Sequence, residues 1–163
     1  NSTKTDLSYT IRNKTNVDAK NQIAAIASRL IEDGDHLMLD DSSTSLYLAK
    51  KLKEKKGLTV ITNSVELVVE LSGVEGWTII LTGGRLKPES LALVGDQTQQ
   101  SLRRYHVDKA VMSCKGIRRY GLLRVPFANK AVHAVLRKKA DPDPRQQQIR
   151  QSLIHRYRAA GRI

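Results

Sequence analysis

Leu37-Met38-Leu39-Asp40-Asp41-Ser42-Ser43-Thr44-Ser45-Leu46-Tyr47-Leu48 decides how the chain is to be read. Its first residues are a short apolar run of the kind buried on both faces of a parallel sheet. Its middle is small and hydroxyl-rich, and its last residues begin a helical apolar pattern. A strand therefore gives way to a helix N-terminus through hydroxyls and amides. The first N–H groups of such a helix lack intrahelical partners and its dipole favours negative charge, which is how α/β proteins hold phosphate.

The same unit recurs on either side. Upstream, Ile23, Ala24, Ile26, Ala27, Leu30 and Ile31 share one helical face, predicting a helix from about Val17 to Glu32 with Gly34 at its C-cap. His36 to Asp40 is the first strand. Downstream, Leu46, Leu48, Ala49 and Leu52 give a second helix that ends in the Lys53 to Gly57 charge run. Leu58 to Ile61 is a strand, Thr62-Asn63-Ser64 its turn and cap, and Val65 to Leu71 a helix. Trp77 to Leu81 is the third strand, followed by Thr82-Gly83-Gly84-Arg85. Leu86 to Gly95 is too irregular to assign beyond a short strand around Leu91 to Val94. Asp96 to Tyr105 reads as a helix capped by Asp96, and Lys109 to Ser113 as a fourth core strand. Strand, polar turn and helix in repetition specify an α/β fold: an open parallel sheet with right-handed crossovers, flanked by helices.

The two ends differ from this body. Residues 1–19 are a polar lead-in with Tyr9 and Ile11 as its anchors. From Arg118 no further apolar strand is visible, Pro142 and Pro144 break any helix near them, and only weak helices around Asn129 to Lys139 and Gln146 to Arg158 are expected. Charge marks the same boundary. The chain of 163 residues has a net charge of +12, yet residues 1–117 carry 16 Lys+Arg against 14 Asp+Glu, whereas 118–163 carry 12 against 2. The basic character belongs to the last quarter, so a basic stripe on the folded body is not supported.

Composition narrows the function classes. No apolar run approaches the roughly 20 residues of a membrane span and no signal segment is visible, so a cytoplasmic protein with no membrane contact is expected. A single cysteine, Cys114, excludes an internal disulfide and reads as a buried small hydrophobe. The four histidines are scattered, so no metal site and no cofactor are expected.

Ligands of open parallel sheets bind beyond the carboxyl ends of the strands. Three strands here end in polar turns that would converge at one edge: Asp40 to Ser45, Thr62 to Ser64, and Thr82 to Arg85. Ser42, Ser43 and Thr44 suit a phosphate. Asp40 or Asp41 has the wrong sign for it and is expected to accept hydrogen bonds from sugar hydroxyls. Asn63 can donate and accept. Gly83 and Gly84 let backbone approach a ligand, and Arg85 adds a cation. Taken singly, each turn is an ordinary N-cap or turn; three at consecutive strand ends raise the odds of a shared anionic site. Trp77 and Tyr105 read as packing residues, and Lys109 as a solvated strand end.

With those residues in view, the chain resembles the C-terminal effector-binding domain of DeoR-type bacterial transcriptional repressors. The likeness is carried by Lys20-x-x-Ile23-Ala24, Asp33-Gly34-Asp35, Leu39 to Ser45, Leu58 to Ser64, Thr82 to Arg85, Leu93-Val94-Gly95, and Val107-Asp108-Lys109-Ala110 through Gly116. Tyr9 and Arg12 are similar to the linker that follows the family's winged helix. The resemblance implies three segments: a linker at 1–19, with the winged-helix domain preceding Asn1, an effector-binding domain at 20–117, and a divergent basic tail at 118–163. It implies a fold shared with ribose-5-phosphate isomerase and the CoA transferases. It also implies a non-catalytic sensor of a phosphorylated sugar or related metabolite, which forms a homo-oligomer and reaches DNA only through the winged helix. The ligand-contacting positions it implies are Asp40, Ser42, Ser43, Thr44, Asn63, Gly83, Gly84 and Lys115.

Two departures from the family pattern stand out. Asp41-Ser42-Ser43-Thr44 occupies the place of Ser/Ala-Gly-Thr-Thr, so the phosphate turn is expected to be tighter or differently shaped. After Ile117 the family's acidic loop, helix, strand and Asp-Ser-Ser-Lys-like turn are not recognisable. With the jump in charge, this is the pattern of out-of-frame translation or extreme divergence, and would leave the fold incomplete at its C-terminus. An intact reading frame shared with homologous repressors would reject it. Two other functions are to be weighed against the sensor. An isomerase or transferase on the same fold is disfavoured by Lys115-Gly116-Ile117, which stands where the related isomerases have an acidic loop. Direct nucleic-acid binding by the basic tail would fall steeply with salt.

Overall fold

The computed structural model describes residues 9–113, together with the backbone of 116–118 and 121–123. The expectations for Cys114, Lys115, the rest of the tail with its weak helices, and residues 1–8 lie outside the described residues.

Among the described residues four strands form the parallel sheet: β1 (His36–Leu39), β2 (Thr59–Thr62), β3 (Thr78–Leu81) and β6 (Lys109–Val111), in the order β3-β2-β1-β6. Their register is nearly flush. Leu39 lies opposite Thr62 on one side and Val111 on the other, and Thr62 lies opposite Leu81. Four carboxyl ends therefore open onto one edge. The helices are α2 (Val17–Ser28), α3 (Ser43–Lys51), α4 (Val65–Leu71) and α5 (Asp96–Arg103), preceded by a short α1 (Tyr9–Lys14). Two hairpins complete the description, β4 (Arg85–Lys87) with β5 (Ala92–Val94) and β7 (Gly116–Arg118) with β8 (Gly121–Leu123).

Alternation along the strands divides the core. Leu37, Leu39 and Val60 point to one face, where α2, α3 and α4 cover them with Ala24, Ala27, Leu48, Leu52, Leu67 and Leu71, all buried. Met38 and Ile61 point to the other face, joined by Val107 and by the partly buried Ile80, Leu102, Tyr105, Ala110 and Met112. Each fully buried aliphatic side chain stabilises the fold by about 1.5–3 kcal/mol, so among the described residues the face covered by α2, α3 and α4 contributes the larger part.

Several local expectations are corrected. The first helix ends at Ser28, not Glu32. Arg29, Leu30 and Ile31 instead donate to the carbonyls three residues back at 3.2, 3.0 and 3.3 Å, the tightened last turn of a helix. Gly34 lies five residues past the C-cap, at φ +81, and makes the turn into β1, donating its N–H to Lys56 O at 2.9 Å. Helix α5 is capped by Gly95, at φ +105, so Asp96 is its first residue. The irregular stretch is the β4–β5 hairpin, and a short strand, Gly121–Leu123, exists beyond Arg118. Ile11 is no anchor, being 51% exposed. Lys109 is no solvated strand end: its Nζ lies 2.6 Å from Asp35 Oδ2. Trp77 donates its indole N–H to Lys55 O at 2.7 Å, tying the start of β3 to the preceding loop.

Candidate functional site

The turn after β1 is organised by the Asp40 carboxylate. Oδ1 accepts from Ser42 Oγ and Ser45 Oγ, both at 2.6 Å, and from Ser42 N–H at 3.1 Å; this last bond is an Asx turn. Oδ2 accepts from Ser113 N–H at 2.6 Å, across from the end of β6. Both oxygens are thus engaged by the protein itself. Burial pushes the Asp40 carboxyl above its ordinary value, the Ser42, Ser45 and Ser113 hydrogen bonds oppose the shift, and the nearby Asp41 adds to it.

Ser42 then caps α3, its Oγ accepting from Ser45 N–H at 3.1 Å. Its backbone is extended, at φ −80 and ψ 146, so a serine in the family's glycine place carries no left-handed strain here. Ser43, Thr44 and Ser45 are buried in the first turn. The N–H groups of Ser43 and Thr44 are left over by the capping: helix geometry gives them no partner, and Ser42 Oγ serves only Ser45. Ser43 Oγ turns the other way and donates to Arg12 O at 3.3 Å.

At the end of β2, Asn63 Nδ2 donates to Leu93 O at 3.1 Å and stands 3.5 Å from Asp41 Oδ1, which links the first two turns. Leu93 N–H donates to Asn63 O at 2.8 Å, and Val65 N–H to Leu91 O at 3.0 Å, so the β4–β5 hairpin docks on the β2–α4 turn. Ser64 caps α4, its Oγ accepting from Leu67 N–H at 3.2 Å.

The third turn has an architectural reason for its glycines. Gly83 and Gly84 sit at φ +73 and +119. Gly83 O accepts from Thr98 Oγ1 at 2.7 Å, which draws α5 onto the turn. A Cβ at Gly84 would come within 2.2 Å of Thr98 Oγ1 and 2.8 Å of Val94 O. The close approach that glycine permits here is between the turn, the hairpin and α5. Arg85 opens β4 with its side chain exposed.

Hydrogen bonds thus bring Asp40, Asp41, Ser42, Ser43, Thr44 and Asn63 to two adjacent turns, and Thr82 N–H, donating to Thr62 O at 3.0 Å, sets the Gly83-Gly84 turn beside them. Lys115 lies outside the described residues. Sequence reasoning did not single out Ser45, Thr98 or Ser113. The Ser45 hydroxyl was visible in the Ser-rich turn, but the other two are identified only by contacts across 15 and 73 residues. The edge offers backbone N–H donors, hydroxyls and one carboxylate, Asp41, that is not locked into the turn. That combination suits a small anion bearing hydroxyls. Among the described residues no group of His, Cys, Asp and Glu is placed to hold a metal ion.

Comparison with known proteins agrees with this architecture. The pattern of the DeoR C-terminal sensor domain matches residues 15–142. The chain is 42% identical over 113 residues to the uncharacterized HTH-type transcriptional regulator YulB of Bacillus subtilis (strain 168), covering 69% of this chain and 43% of that protein. It is 44% identical over 115 residues to the HTH-type transcriptional repressor GlcR of the same strain, covering 71% of this chain and 44% of the relative. It is 34% identical over 98 residues to the transcriptional repressor AccR of Agrobacterium fabrum, covering 60% and 38%. The chain spans less than half the length of these curated relatives. With most of its length matched and its parallel sheet in place, the chain belongs to the DeoR C-terminal sensor domain family.

Proposed function

We propose that this chain is the effector-sensing part of a DeoR-type transcriptional repressor, and that a phosphorylated sugar or related metabolite binds at the carboxyl edge of the sheet. The phosphate sits on the first turn of α3, taking the N–H groups of Ser43 and Thr44 and the Thr44 hydroxyl. Asp41 and Asn63 take sugar hydroxyls, the Gly83-Gly84 turn forms a wall, and Arg85 and Lys115 supply positive charge. Asp40 serves from behind, because its acceptors are already filled by Ser42, Ser45 and Ser113. The protein acts without catalysis in the cytoplasm, as a homo-oligomer, and meets DNA through a winged helix outside this chain. Among the described residues no helix is long and apolar enough to cross a membrane.

One observation carries this proposal: two unclaimed N–H groups at the start of a nine-residue helix, flanked by the Asp41–Asn63 pair at the same edge. A ligand that binds only the native state stabilises it by about 2.7 kcal/mol at one hundred times its Kd. A thermal-shift screen should therefore find at least one phosphorylated sugar that raises Tm while its unphosphorylated parent does not. Equal response to both members of every pair, or turnover of ribose 5-phosphate above background, would overturn the proposal.

A further inference from the structure

Helix α1 has six residues, too few to persist by themselves. Its outward Ile11 is half exposed. Its carbonyls from Ile11 to Asn13, in contrast, are all held. Ile11 O accepts from Thr15 Oγ1 at 2.8 Å, Arg12 O from Lys20 Nζ and from Ser43 Oγ at 3.3 Å, and Asn13 O from Tyr47 OH at 3.2 Å. Lys20 is 2% exposed, with its Nζ 5.7 Å from the centre of the Tyr47 ring, and a cation there complements the negative end of α1. Asn16, left-handed at φ 53, breaks the chain between α1 and α2. The placement of α1 is therefore set by α3 and Lys20 and not by a continuous helix.

Ser43 is the shared part. Its N–H belongs to the first turn of α3, and its hydroxyl holds α1. We infer that this turn couples the pocket to α1: an anion engaging the N–H groups of Ser43 and Thr44 shifts the turn, changes the grip of Ser43 and Tyr47 on α1, and so alters the docking of α1. This rests on the phosphate placement proposed above. The coupling is reciprocal, so loosening α1 changes ligand affinity by the factor by which ligand changes α1 docking.

Trypsin reads the docking directly, because Arg12 and Lys14 lie within α1 and the exposed Arg103 and Arg104, at the end of α5, serve as an internal control. Tyr47→Phe should speed cleavage at Arg12 and Lys14 about fivefold, the worth of one net hydrogen bond. The deciding arm needs no ligand. Asp40 organises the turn and makes no hydrogen bond to α1, so Asp40→Asn, or the milder Ser45→Ala if that variant fails to fold, should raise cleavage at Arg12 and Lys14 severalfold and leave Arg103 and Arg104 unchanged. Wild-type cleavage at α1 in a folded variant, or an equal rise at all four sites, would overturn the coupling. Inorganic phosphate and ribose 5-phosphate form the second arm. A probe that raises Tm should change cleavage at α1 at least threefold, and a probe that binds without doing so also overturns the coupling. Failure of both probes to bind counts against the phosphate placement and leaves the turn variants to decide the coupling.

Discussion

Replacing Gly84 with alanine should be among the most damaging single-methyl additions in this fold. The new Cβ would fall 2.2 Å from Thr98 Oγ1 and 2.8 Å from Val94 O, at a backbone φ of +119 that L side chains rarely adopt. The backbone conformation alone costs about 1–3 kcal/mol for a residue with a Cβ. Thr98 can rotate away only by giving up its hydrogen bond to Gly83 O, worth about 0.5–1.5 kcal/mol net. Val94 O is backbone within the β4–β5 pair and cannot retreat without moving the hairpin. Together these give a loss of about 3–4 kcal/mol, or a fall in Tm on the order of 10 °C for a chain of this size. Urea denaturation followed by fluorescence of the single tryptophan, Trp77, measures it at a reporter placed at the start of β3, before the strand reaches the substituted turn. Adding Thr98→Ala should recover less than half of the loss, since the φ and the Val94 contact remain. A loss under about 1 kcal/mol for Gly84→Ala would refute the reasoning, and full rescue by Thr98→Ala would refute the part assigned to the backbone.

Asp40 gives a pH prediction of definite sign. Its folded-state pKa is raised above 3.8, so between that value and the raised one the native state binds more protons than the unfolded chain, and its contribution to stability falls as pH rises. The advantage of wild type over Asp40→Asn, measured by urea titration, should therefore be smaller at pH 7 than at pH 4.5; the opposite order would mean that the four donors outweigh burial. Leu48→Ala, at a position 1% exposed within α3, should cost about 2–5 kcal/mol without changing the urea m-value. Glu70→Gln removes contacts to Lys53 at 2.7 Å and Lys50 at 3.7 Å on the surface of α3 and α4, and should cost under about 1 kcal/mol, less still in high salt.

What is legible in the sequence is what short range decides. The continuous apolar run of Leu37, Met38 and Leu39, the cap at Ser64 and the bounds of α4 follow from neighbouring residues, and the structure agrees with each, whereas Ser43 to Ser45, which read as part of a turn, are the first residues of α3. The parallel order follows from the repeating unit. Long-range contacts are not legible. Asp40 looks like a residue offered to a ligand until Ser113, 73 residues away, is seen to occupy its second oxygen. Gly83-Gly84 looks like backbone bared for a ligand until Thr98 is seen against it. Helix α1 is missed because its support comes from Lys20, Ser43 and Tyr47, and a six-residue polar segment has no apolar periodicity to betray it.

The strand order carries a consequence for how the chain assembles. β1, β2 and β3 are successive strands, each joined to the next through one intervening helix. β6 pairs with β1 across the hairpin and α5, so among the described strands its pairing closes the longest loop and bears the largest entropic charge. The contact between Ser113 N–H and Asp40 is the clasp at the far end of that closure. Opening should begin there and reach β2 last, an order that amide exchange at Lys109–Val111 against Thr59–Thr62 would reveal, and equal protection of the two strands would exclude. The same carboxylate that shapes the candidate pocket is then also the stitch that keeps β6 in place beside β1.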